Sequence, residues 1–132
     1  MPHPERLSLE EAVARIPEEA TVCFGGFDIL RAPMALVFEL ARHPGRRLEL
    51  VSPPNPLAVD VLIGSGVVKK ATLAFSGFQF AKGFAVGPMW KEAVENETLD
   101  YREVDAYAIL SGFRAAAMGL PFLPITDVDG SE

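Results

Sequence analysis

The stretch Thr21–Ala41, TVCFGGFDILRAPMALVFELA, passes from a short apolar run through two glycines and a proline into a helical pattern. Thr21-Val22-Cys23-Phe24 is apolar throughout and bounded by turn signals, which predicts a buried strand. From Pro33 onward, Met34, Val37, Phe38, Leu40 and Ala41 recur at helical spacing. That helix should stop at His43-Pro44-Gly45. A strand, a glycine turn and a helix form the first half of a βαβ unit.

The same alternation extends along the chain. Ser8-Leu9-Glu10-Glu11 reads as a capping box, with Leu9, Ala12, Val13 and Ile16 on one face and Pro17 as the stop. Leu48–Val51 predicts a second strand. Asn55 and Pro56 suit the N-cap and first position of a helix through Leu57, Val61 and Leu62, ended by Gly64 and Gly66. Lys70–Phe75 predicts a third strand, and the glycine-rich Ser76–Pro88 a long loop. A helix over Met89–Asn96 and a fourth strand over Leu99–Glu103 follow. Asp105 should cap a long helix to Met118, with Gly119 as its C-terminal glycine. Pro121–Ile125 is a fifth strand or an extended segment, and the tail DVDGSE is polar.

Strands alternating with helices call for an α/β fold, an open and mostly parallel sheet with helices on both faces. The nearly continuous apolar character of the strands agrees with that. A chain of 132 residues fits one domain over 1–132.

Composition narrows the function. The net charge is −6, and Arg46-Arg47 and Lys69-Lys70 are isolated basic pairs. Phosphate-backbone binding needs clustered cations, so neither nucleic acid nor an anionic membrane is an expected partner. The single cysteine, Cys23, allows no internal disulfide and reads as a small core residue. MPHPERLSLEE lacks the apolar core of a signal peptide, and no apolar run approaches the ~20 residues of a membrane span. A cytoplasmic protein is expected. His3 and His43 lie far apart, and no metal-ligand spacing exists.

In an open α/β sheet, ligands bind beyond the carboxyl ends of the strands. Gly25, Gly26, Phe27 and Asp28 sit there, as do Ser52–Asn55, Ser76–Gln79 and Glu103. Glycines let the backbone approach a ligand, and the amides beside them can hold an anion or a developing oxyanion. Neither a dinucleotide fingerprint nor a P-loop is present, and Asp28 disfavours a dianion. The spacing suits a plain β-to-α turn equally well. Glu103 stands where a catalytic carboxylate can stand, or it pairs with Arg114 on an otherwise apolar helix. Arg31 can clamp a carboxylate or lie solvated. Ser76 and Gln79 offer a hydroxyl and an amide to a ligand or to their own loop. Met89 and Trp90 read as core or interface anchors.

The residues also resemble a known family. Val22-Cys23-Phe24, Gly25-Gly26-Phe27, Asp28-Ile29-Leu30 and Pro33 match the N-terminal signature of family I CoA transferases. The signature's later glycine is Arg31 here, and its leading Asp/Asn-Gly pair is Glu18-Glu19. REVDAYAILSGFRAAAMGLPFLPI, Arg102–Ile125, is similar to the alpha subunit of the glutaconate CoA-transferase type. The layout between the two motifs also agrees, so nearly the whole chain is covered.

The resemblance implies the CoA-transferase class of α/β fold and a hetero-oligomer of alpha and beta subunits. It implies that CoA moves between an acyl-CoA and a carboxylic acid. Coenzyme A would be a substrate, with no permanently bound cofactor. The nucleophilic glutamate belongs to the beta subunit, and its Ser-Glu-Asn-Gly type of motif is absent here. The site residues expected of this chain are Gly25, Gly26, Phe27, Arg31, Ser76 and Gln79 for substrate. Glu103 is the candidate acid–base residue if the enzyme is instead a CoA-thioester or ring-opening hydrolase. A non-catalytic scaffolding subunit is the remaining reading. Family alpha subunits continue past Pro-Phe-Leu-Pro, so a domain shortened at its C-terminus, and extensive association, are expected.

Overall fold

The computed structural model of the chain describes residues 4–126. His3 and the polar tail DVDGSE lie outside the described residues. Eleven elements follow one another: α1 (Leu9–Ala14), β1 (Thr21–Val22), α2 (Met34–Ala41), β2 (Leu48–Ser52), α3 (Pro56–Gly64), β3 (Val68–Leu73), β4 (Gly77–Phe80), β5 (Gly83–Val86), α4 (Pro88–Glu95), β6 (Asp100–Glu103) and α5 (Ala106–Ala117). Four strands form a parallel sheet in the order β1-β2-β3-β6, and β4 and β5 form a separate antiparallel hairpin.

Because each parallel strand is added beside the last, the crossover helices gather on one face. There α1 packs on α2, α2 on α3 and α3 on α4. The core lies between these helices and the sheet, with Val37, Leu40, Leu50, Leu62 and Leu73 almost completely buried. Burying each such side chain favours folding by about 1.5–3 kcal/mol. Along β2 the inward residues Leu48, Leu50 and Ser52 are buried while Glu49 and Val51 are half-exposed. The helix α5 adjoins the opposite face, where Ile109 and Phe113 border a depression shared with Val51, Thr72 and Arg102. Tyr107, Leu110 and Met118 are exposed as well and line a second depression with Leu123 and Pro124.

Local signals operate as read at several helix ends. Ser8 N–H donates to the Glu11 carboxylate at 2.7 Å, and Glu11 N–H to Ser8 Oγ at 3.2 Å. At the end of α5, Gly119 has φ 67. Gly119 N–H donates to Ala116 O, and Leu120 N–H to Ala115 O, which is a Schellman motif.

Other expectations change. Ser76–Pro88 is not one long loop, because it contains the β4–β5 hairpin turned at Ala81-Lys82. Gly77 makes this possible, since a Cβ there would collide with the Phe84 ring that lies over it. Pro121–Ile125 forms no strand. Pairing of β1 stops at Val22, short of Cys23 and Phe24. Cys23 is exposed rather than core, because it alternates with buried Phe24 and falls on the other side of the strand. Burial of its surroundings still pushes the Cys23 thiol pKa up. Trp90 is a core residue, edge-on to Tyr101 at 4.9 Å between ring centroids.

Candidate functional site

The carboxyl ends of β1, β2 and β3 bring three loops together. After β1, buried Phe24 anchors the chain before it turns at Gly25-Gly26. Gly26 has φ 113, and a Cβ on it would lie 2.8 Å from both Ala32 N and Leu30 O. No other residue fits there. A Cβ on Gly25 would meet nothing within 4 Å, so that side of the loop is open. Beyond the glycines, Phe27 and Leu30 exchange N–H···O bonds at 3.0 and 2.9 Å, closing a tight turn around Asp28.

The loop after β2 fastens this turn. Asn55 is completely buried, and its Nδ2 donates to Gly25 O at 3.2 Å. Asp28 N–H donates to Pro54 O at 2.8 Å. Among the described residues, no acceptor takes up the Gly25 or Gly26 N–H. Two open donors on a clamped loop can meet a carbonyl oxygen that gains negative charge.

Arg31 carries φ 61, the left-handed conformation that glycine adopts without strain. The position thus has a backbone conformation that suits glycine, the residue the signature carries there, better than arginine. Its side chain is exposed.

Phe27, Asp28, Pro54, Pro56, Phe75, Gly77, Gln79 and Phe84 line a small cavity of about 90 Å³ beside the loop. Phe27 and Gln79, both expected from sequence, meet here. Ser76 does not line it. Ser76 is buried beneath Gly87, whose N–H donates to Ser76 O at 3.1 Å, and its Oγ has no partner among the described residues.

Glu103 is exposed at the end of β6, in register with Leu73. It forms no ion pair with Arg114 among the described residues, and Arg114 is exposed on α5. The sheet order sets Glu103 three strand spacings from the end of β1, about 14 Å. Phe27 and Gln79 share the small cavity beside the glycine turn, and Glu103 does not line it. His43, just past the end of α2, pairs with Glu39 at 3.1 Å and lines neither the glycine turn nor the cavity beside it. Among the described residues, no three His, Cys, Asp or Glu side chains cluster as metal ligands, and no helix is long and apolar enough to cross a membrane.

The sequence model of the family described as Coenzyme A transferase matches residues 6–129. The chain belongs to the coenzyme A transferase family. It is 34% identical over 128 residues to the cholesterol ring-cleaving hydrolase IpdA subunit of Rhodococcus jostii, covering 97% of this chain and 42% of that protein. It is 33% identical over 134 residues to the A subunit of glutaconate CoA-transferase from Acidaminococcus fermentans, covering 95% of this chain and 39% of that protein. Among solved structures, the AibA/AibB decarboxylase superposes with a TM-score of 0.84 at 44% identity, covering 92% of this chain and 46% of that one. The glutaconate CoA-transferase structure from A. fermentans superposes with a TM-score of 0.77 at 29% identity, covering 95% of this chain and 39% of that one. The chain thus spans less than half the length of these relatives. Their names attach three chemistries to one scaffold: transfer, ring hydrolysis and decarboxylation.

Sequence reading missed what holds the site. Asn55 is recognisable as an N-cap residue by position, but its side chain makes no capping bond and turns to Gly25 instead. No local signal specifies that partner, 30 positions away.

Proposed function

We propose that this chain supplies the alpha-type half of a heteromeric CoA transferase. The assembled enzyme would move CoA between an acyl-CoA and a carboxylic acid. A glutamate of a partner beta subunit would act as the nucleophile and carry the covalent thioester. The Gly25 and Gly26 N–H groups would polarise the thioester carbonyl as charge builds on its oxygen. Phe27 and Gln79 would contact the acyl group in the adjoining cavity. Arg31 would hold the carboxylate of the acid. Coenzyme A would enter as substrate, with no permanently bound cofactor, and a cytoplasmic setting suits that metabolite. Ser76, buried beneath Gly87, would support the loop from below rather than touch substrate.

The observation that carries this reading is the clamped glycine loop at the carboxyl edge of the sheet, with two N–H groups open. The exposed apolar side of α5 supports association with another polypeptide.

The position of Glu103 favours a second reading. An exposed carboxylate at the end of β6 would serve as base toward water in a thioester or ring-opening hydrolase. Its separation from the glycine loop would then require a substrate that spans both.

The deciding experiment is co-purification with the partner beta chain, followed by borohydride reduction in the presence of acyl-CoA. Transfer predicts a reduced glutamyl adduct in the partner and turnover that needs an acceptor acid. CoA release without acceptor, with no adduct formed, overturns transfer in favour of hydrolysis. Complete assembly with no acyl-CoA turnover overturns both and leaves a scaffolding subunit.

A further inference from the structure

We propose that Asn55 is a positioning residue that aims the Gly26 N–H at the reacting carbonyl oxygen. The proposal rests on the reading of the glycine loop as the carbonyl-polarising element. Asn55 is completely buried, and its Nδ2 draws the Gly25 carbonyl inward at 3.2 Å. The 25–26 peptide is trans. In a planar trans unit, the C=O and the following N–H point in opposite directions. Holding the Gly25 oxygen toward the core therefore turns the Gly26 N–H outward. The outward side is open at Gly25, and no acceptor among the described residues takes the Gly26 N–H.

A Gly-Gly peptide needs such a tether. Glycine crosses freely between positive and negative φ, so the unit between two glycines can rotate as a plate. A donor that must reorient during the reaction loses the advantage of preorganisation. The second clamp, Asp28 N–H to Pro54 O, holds the far side of the turn but leaves this peptide free.

Asn55 also forgoes its ordinary task. An asparagine at an N-cap normally accepts an N–H from the first turn of its own helix. Here the side chain makes no capping bond to α3, and Oδ1 has no partner among the described residues. Its orientation answers to Gly25 and not to the helix.

The test compares the assembled wild-type enzyme with Asn55→Asp, which keeps the shape but replaces the donor with an acceptor. The expected result is a fall in kcat of about 10²-fold, the size of losing one oxyanion donor, with KM changed by less than about threefold. A kcat within about threefold of wild type, or a change confined to KM, overturns the proposal. A second measurement stands without any variant. In the wild-type chain, hydrogen exchange by NMR should show a protected Asn55 side-chain amide proton and an open Gly26 N–H. A freely exchanging Asn55 amide or a protected Gly26 N–H overturns it. A wild-type complex without acyl-CoA turnover would instead count against the proposed function, and the exchange pattern would still decide the role of Asn55.

Discussion

Asp60 on α3 caps α4 from outside: its Oδ1 accepts the Met89 N–H at 2.9 Å and the Trp90 N–H at 3.0 Å. Gly87, at the N-cap, has no side chain to do this. Pro88 at the first position has no N–H to satisfy. One buried carboxylate thus answers both open donors of the first turn and ties α3 to α4. Gly87 must be glycine for this to happen, because a Cβ there would lie 2.6 Å from the same Oδ1.

Asp60→Ala should therefore destabilise the chain by about 1–3 kcal/mol, through lost capping and two N–H groups, one of them buried, left without partners. Asp60→Asn keeps one acceptor oxygen and should cost about half as much. Urea denaturation would measure both, with an unchanged m-value. A destabilisation below about 0.5 kcal/mol for Asp60→Ala would contradict the cap.

The two loop glycines should separate stability from turnover. Gly26→Ala places a methyl group against backbone atoms at 2.8 Å in a left-handed conformation. It should cost about 2 kcal/mol or more. Gly25→Ala meets open space and should shift stability by less than about 0.5 kcal/mol. If the loop polarises the thioester carbonyl as proposed, a methyl group on its open side should still slow acyl-CoA turnover. Thermal melts beside steady-state kinetics of the assembled enzyme would check this. Equal melting losses for both variants would count against the loop geometry.

Arg31→Gly should leave stability unchanged or raise it by up to about 1 kcal/mol, since φ 61 suits glycine better than arginine. Arg31→Val should lose about 1–2 kcal/mol, because a β-branched side chain is least tolerated there. Kinetics supply the functional arm. If Arg31 holds the acid, Arg31→Gly raises KM for the carboxylic acid without a matching rise for acyl-CoA.

The capping box of α1 predicts a pH dependence. The Ser8 N–H, then its hydroxyl, hold the Glu11 carboxyl pKa below the usual carboxylate range. A carboxyl whose pKa is lower folded than unfolded adds stability above its unfolded value, about 4.3. That contribution fades as pH falls through the folded value. Wild type should therefore melt above Glu11→Gln at pH 7, and the gap should close as the solution is acidified below the usual range. A gap that persists or widens in acid would rule this out.

Several features were legible along the chain because they depend on neighbours a few residues apart. The capping box at Ser8-Glu11 and the Schellman end at Gly119 are of this kind. So is the strand–helix alternation, since its periods are set by backbone geometry. The family motifs around Gly25-Gly26 and Arg102–Ile125 were read in the same way, as runs of adjacent residues.

The hairpin escaped because its phenylalanines stand among glycines, and the packing of Phe84 over Gly77 that accompanies the antiparallel ladder is not visible in the local pattern. Cys23 escaped because an apolar run does not say which strand face a helix covers. That depends on every crossover adding its strand on the same side.

Sequence alone determined the fold class, the start of α1, both ends of α5 and which loop carries the glycines. Only the tertiary structure decided what those residues face. Asn55 reaches Gly25 across 30 positions, and Asp60 reaches Trp90 across another 30. Glu103 lies at the strand farthest from the glycine loop. These relationships are set by strand order and by side chains finding partners once the core has closed. Local propensity, which acts over a few residues, carries no information about either.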